Sequence, residues 1–120
     1  MITLHNTQTT VKISELGAEL KSFICGGTEY IWQSCSEVWN SSSPLLFPIC
    51  GGLKNDKYTF KGKEYTLSKH GFCRNATFTV EYADDEKTIL LHKSDDETKK
   101  CFPFDYELRI IYTLKDTSLS

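Results

Sequence analysis

Of the three histidines in the chain, one has a setting suited to chemistry. His70 lies in the run Ser68-Lys69-His70-Gly71-Phe72-Cys73-Arg74-Asn75, directly after a strand-like stretch. The adjacent glycine lets a ligand approach the backbone, and an arginine stands close by. An imidazole so placed can exchange hydrogen bonds with a polar ligand, or can cap the backbone of its own loop. His5 and His92 sit in or beside strand-like runs with Lys or Asn neighbours, which suits surface or internally satisfied positions. The acidic groups Asp84-Asp85-Glu86 and Asp95-Asp96-Glu97 fall in turn-like segments and read as solvated loops, where like charges separate best. Gly51-Gly52 lacks the strand, GxxxxGK[ST] and helix context of a nucleotide loop. Trp32, Trp39, Phe47 and Phe72 could form a platform on which a ring stacks, but scattered aromatics more often build core. The five cysteines (Cys25, Cys35, Cys50, Cys73, Cys101) are odd in number, lie far apart and form no CxxC pair. They therefore read as small buried apolar residues, with neither a disulfide frame nor a metal site.

The elements that position these residues are short strands. Apolar and polar residues alternate along most of the chain, while sustained 3.6-residue periodicity is absent. Ile2–Leu4 and Val11–Ile13 open the series. Leu20–Cys25 and Thr28–Trp32 flank Gly26-Gly27, and Lys57–Phe60 and Lys63–Leu67 flank Lys61-Gly62, two predicted tight hairpins. Thr77–Tyr82 is predicted to be half-buried through Phe78, Val80 and Tyr82, and to pair with Thr88–His92 across the acidic turn. In Tyr106–Leu114 one face carries Tyr106, Leu108, Ile110, Tyr112 and Leu114, with Ile111 interrupting the polar side. Strands at this spacing predict an all-β antiparallel sandwich. The long stretch Gln33–Asp56 is predicted to be irregular, with Leu45–Ile49 packed down onto a sheet. The chain ends soon after a strong strand, without a terminating composition, so residues 1–120 read as part of one domain.

A net charge of −2 provides no broad positive field for nucleic acid or an anionic membrane. The longest apolar runs fall far short of the ~20 residues that cross a bilayer, and Met1–Thr10 has no apolar signal core, which together predict a cytoplasmic protein.

Glu15-Leu16-Gly17-Ala18-Glu19-Leu20, followed by Glu29-Tyr30-Ile31-Trp32, is similar to the opening hairpin of the aldose 1-epimerase (galactose mutarotase-like) family. Pro44-Leu45-Leu46-Phe47-Pro48-Ile49-Cys50-Gly51-Gly52-Leu53-Lys54-Asn55 resembles its P-x-L-F-P-x-x-G-R-L-x-N segment. His70-Gly71-Phe72-Cys73-Arg74 resembles its H-G-F-A-R signature, and Phe102–Leu108 its P-F-x-F/Y-E-L strand. The order of the blocks matches over nearly the whole chain, with the bacterial mutarotase-like branch the nearest in pattern.

The resemblance implies the N-terminal part of a galactose mutarotase-type (supersandwich) domain, incomplete at its C-terminus, with a sugar groove. It implies an isomerase that interconverts α and β anomers of an aldohexose, free or phosphorylated, or else a non-catalytic carbohydrate-binding protein of the same fold. In such enzymes a glutamate takes the anomeric hydroxyl proton and a histidine protonates the ring oxygen, so the ring opens, the aldehyde rotates and the ring closes as the other anomer. His70 is the implied catalytic and substrate-binding residue, with Arg74, Asn55 and Phe72 as further sugar contacts. The general acid and base of that pattern are expected beyond residue 120. Where the pattern has an arginine this chain has Gly52, which lacks a planar five-donor side chain. Neither an organic cofactor nor a metal is implied, and exposed sheet edges suggest a homo-oligomer.

Overall fold

Alternating apolar residues can bury one face of a strand only if a second layer lies against it. In a computed structural model covering Met1–Ser120, two four-stranded antiparallel sheets meet in this way. The first is ordered β1 (Ile2–His5), β2 (Thr9–Ile13), β3 (Leu20–Cys25), β4 (Thr28–Glu29). The second contains β7 (Thr79–Ala83), β8 (Lys87–Lys93), β9 (Glu107–Lys115) and β10 (Ser118–Leu119), ordered β10-β9-β8-β7. Between them in sequence, β5 (Lys57–Phe60) and β6 (Lys63–Thr66) form a separate hairpin. Leu4, Val11 and Ile13 of the first sheet meet Leu90 and Leu114 of the second in a core completed by Ala18, Cys73 and Phe78. The layers are also joined by polar contacts: the His5 amide donates to the Asp85 carbonyl at 2.7 Å, and the Tyr112 hydroxyl to the Ala18 carbonyl at 2.8 Å.

Both glycine-containing hairpins form. Gly26 and Gly27 have φ of 56° and 80°, and Lys61 and Gly62 have 48° and 77°, the double left-handed geometry that matches strand twist in a two-residue loop. Four expectations need correction. The strand after Gly27 ends at Glu29 instead of Trp32. There the Glu29 carboxylate accepts the amides of Phe23 and Ile31 and the Ser22 hydroxyl, turning the chain out of the sheet. Thr77–Tyr82 is not half-buried: β7 is exposed along its length and only Phe78, just before it, enters the core. As the edge strand, bulged between Val80 and Tyr82, β7 has no layer to cover those side chains. Asp95-Asp96-Glu97 is not a loop. Asp95 caps a short helix, α1 (Asp96–Cys101), through a reciprocal pair of bonds with Thr98. Finally, Trp32 and Trp39 are not core residues but about half exposed, held by a bond from Trp32 Nε1 to the Trp39 carbonyl at 3.0 Å.

The molecule is a plate of 55 × 34 × 18 Å with a radius of gyration of 16.5 Å. A compact chain of this length would have about 13.5 Å. No helix is long and apolar enough to cross a membrane.

Candidate functional site

The site is built where three irregular segments are stitched together. The first carries Gly17 at φ +69°, where an added Cβ would lie 2.7 Å from the Arg74 carbonyl oxygen. Around it the Gly17 amide donates to Ala76 O (2.7 Å) and the Phe78 amide to Glu15 O (2.8 Å), so Glu15–Ala18 clamps the chain that leaves Arg74. The second segment is the apolar loop. Glu19 Oε1 accepts the amides of Ser42 and Ser43 at 2.6 and 2.9 Å, fixing the approach to Pro44–Phe47. Partial burial raises the Glu19 pKa, but those amides and Lys21 outweigh it and hold the carboxyl below the usual carboxylate range. The third is His70–Asn75. Its Gly71 forms a parallel bridge with Phe47, and the Phe47 carbonyl accepts the amides of Phe72 and Cys73 at 3.0 and 3.3 Å. Gly71 has φ +71°, and a Cβ there would fall 2.1 Å from Phe47 O. Only glycine fits that crossing.

His70 is thereby aimed. Its own φ is +68°, a left-handed conformation uncommon for a residue with a side chain. The strain is held by a two-way bond to Gly51: the His70 amide donates to Gly51 O at 2.8 Å, and the Gly51 amide donates to His70 Nδ1 at 2.9 Å. Because Nδ1 accepts, the neutral ring carries its proton on Nε2. That N–H makes no hydrogen bond within the chain and is free to donate to a ligand oxygen. Gly51, which has no nucleotide-loop context in the sequence, is thus the residue that sets the His70 tautomer.

The other predicted contacts lie on the turns that follow Gly51 and His70 along the chain. Arg74 is exposed on the 3-10 turn Cys73–Asn75, and its guanidinium makes neither an ion pair nor a hydrogen bond. Asn55 is exposed at φ +56° in the 3-10 turn Lys54–Asp56. No hydrogen bond links either side chain to His70. Phe72 is half-buried, its ring 6.3 Å from Phe47, 6.4 Å from Phe102 and 6.3 Å from Tyr106. It also lines a cleft of about 460 Å³ with Asn75, Thr77, His92, Asp95 and Thr98, a feature without a sequence signal because α1 and the Asn75 turn come from distant segments. In that cleft His92 is internally satisfied, its Nδ1 lying 2.9 Å from the Tyr106 hydroxyl. Burial lowers the His92 pKa against the opposing pull of Asp95, and burial pushes Tyr106 up to about 12. The phenol therefore donates and the imidazole accepts. Of the cysteines expected to be buried, Cys73 is, and burial raises its thiol to about 11, but Cys50 is exposed because it lies on the loop surface, and Cys25, Cys35 and Cys101 are half-buried.

A family model described as aldose 1-epimerase matches residues 1–120. The chain belongs to the aldose 1-epimerase family. The plasmid-borne protein LacX of Lactococcus lactis subsp. lactis is 36% identical over 98% of this chain and 42% of its own length. The galactose mutarotase related enzyme of Lactobacillus acidophilus superposes with a TM-score of 0.95 at 44% identity, over 98% of this chain and 40% of that one. A galactose mutarotase-like protein of Lactobacillus casei does so with a TM-score of 0.95 at 37% identity, over 99% of this chain and 41% of that one. The fold is therefore the all-β galactose mutarotase-like one, and the chain spans about two-fifths of the length of these relatives.

Proposed function

We propose that this chain supplies the His70 side of a sugar groove in an aldose 1-epimerase-like isomerase that interconverts the anomers of an aldohexose, free or phosphorylated. The observation that carries the reading is the Gly51 amide bonded to His70 Nδ1, which leaves an Nε2–H donor directed by a rigid loop crossing. Such a donor polarises the ring oxygen or a hydroxyl of a bound sugar, and its preset orientation reduces the entropy lost on binding. Arg74 and Asn55 supply further polar contacts, and Phe72 an apolar wall. Proton transfer needs a second acid–base group. Here His92 is engaged by Tyr106, while Glu15, Glu19 and Glu29 are engaged by amino, amide or hydroxyl donors. The contribution of these 120 residues is accordingly binding and orientation.

The test follows freshly dissolved α-D-galactose and α-D-glucose by NMR with the chain, with its His70→Ala variant and with buffer alone. The expected result is sugar binding by the chain, lost in His70→Ala, with anomers interconverting at the buffer rate. Acceleration that vanishes in His70→Ala would show that the chain catalyses on its own, and equal binding by both proteins would remove His70 from the site. The open edges of β1 and β7 support self-association of the chain, which sedimentation velocity at 10-fold steps of concentration would register as a rising sedimentation coefficient. A constant value would rule it out.

A further inference from the structure

The cleft walled by Phe72 holds polar groups that the fold itself does not use. The bond between His92 and Tyr106 takes only Nδ1 of the imidazole. With Nδ1 turned to Tyr106 and the buried Phe78 ring 5.3 Å from its own, His92 lines the cleft with the edge that carries Nε2, whose N–H has no partner within the chain. Asn75 and Thr77 line the same space from the stretch that leads into β7, and both side chains are exposed and make no hydrogen bond. One cavity of about 460 Å³ thus gathers an N–H donor, an amide and a hydroxyl beside an aromatic ring, a size and a lining that suit a small polyhydroxylated ring. Its charge is one-sided. Of the nine lining residues Asp95 and Glu97 are acidic and none is basic. Glu97 is paired with Lys100 at 2.6 Å, whereas Asp95 meets no cation, its carboxylate accepting the Thr98 amide at 2.8 Å.

From these observations we infer that this cleft seats the sugar ring, with His92, Asn75 and Thr77 as sugar-binding residues, and that the sugar it takes is unphosphorylated. The inference rests on the sugar reading above, in which Phe72 is a wall of the groove, and adds contacts and a substrate class to it. Two residues of backbone, at most about 7 Å, separate His70 from Phe72, so a ring lying on Phe72 is within reach of the His70 side chain. The Nε2–H of His92 donates to a hydroxyl oxygen, the Asn75 amide donates and accepts, and the Asp95 carboxylate accepts from a hydroxyl. A phosphate brought into the same space faces that carboxylate with no lining cation to offset the repulsion.

The test titrates D-galactose and D-galactose 6-phosphate into the ¹⁵N-labelled chain and follows its chemical shifts. D-Galactose is expected to move the Asn75 and Thr77 amides and the His92 ring signals together with those of Gly51 and His70. Asn75→Ala and Thr77→Val remove no side-chain bond of the folded chain, and each is expected to weaken binding about three- to tenfold, the scale of one neutral hydrogen bond. D-Galactose 6-phosphate is expected to bind about tenfold more weakly than D-galactose, and the double variant Asp95→Asn, Glu97→Gln, which keeps an acceptor at the helix cap, to narrow that gap to about threefold. Equal or tighter binding of the phosphorylated sugar, an unchanged gap in the double variant, or parent affinity in both Asn75→Ala and Thr77→Val each overturns the inference. Shifts confined to Gly51 and His70 would overturn it while leaving the His70 reading in place. No binding of either sugar by the parent would fail the sugar reading itself and this inference with it.

Discussion

Gly71 shows how much a single missing side chain can decide. With an alanine Cβ at 2.1 Å from the Phe47 oxygen and a left-handed φ, the crossing of the two loops cannot stay as it is. Gly71→Ala is expected to lower stability by about 3 kcal/mol, read as a shift in urea midpoint, and to displace the His70 ring signals in the NMR spectrum. The neutral His92 carries a different prediction. Its folded pKa lies below the unfolded value near 6.5, so the unfolded chain takes up the proton first as pH falls. The stability that His92 contributes is complete above about pH 6.5 and is lost as pH drops through the lower, folded value. Asp95 faces the ring and moderates the shift without reversing it. Melting temperature is therefore expected to fall as pH drops below about 6.5, and His92→Gln is expected to flatten that slope. An unchanged slope in the variant would assign it to other groups.

At the scale of elements, the irregular loops are held by carboxylates accepting backbone amides, and Glu19 is the main instance. Glu19→Ala would leave the Ser42 and Ser43 amides without their partner and free the approach to Phe47. The expected cost is about 2 kcal/mol, with line broadening in Ser41–Phe47 and in His70–Cys73, the segment bridged to it. Confinement of the broadening to the first segment would break the proposed link to His70. Strands and hairpins were legible because period-two alternation and two-residue glycine turns are local signals, as in Val11–Ile13, which lies within β2, and at Lys61-Gly62. The run Leu16-Gly17-Ala18-Glu19 was legible only as a family resemblance. Its physical purpose, a backbone clamp on Arg74–Phe78 and an anchor for Ser42 and Ser43, depends on contacts between residues far apart in sequence. α1 was missed because a helix of one and a half turns, with Thr98 its sole buried residue, has no apolar stripe to betray it. His70 was singled out by its neighbours in the sequence, whereas the residue that fixes its tautomer is Gly51, whose amide carries no sequence signature.

The whole molecule is thin, and its energetics follow from that. Its accessible surface of 7531 Å² exceeds the roughly 6,600 Å² of a compact monomer of the same mass. Tyr82 and Ile111 stay exposed, and only 16 of 120 residues are buried. A core so small leaves each internal contact a large share of the total stability, so substitutions at Leu4, Ile13 or Leu90 unfold the plate more readily than equivalent changes in a thicker sandwich. The 18 Å thickness has a calorimetric corollary. Surface that is already wet in the folded state adds nothing to the hydration change on melting. The heat-capacity step of this chain therefore lies below the ~1.4–1.8 kcal/mol/K of a compact 120-residue protein, and its stability curve is correspondingly broad and shallow.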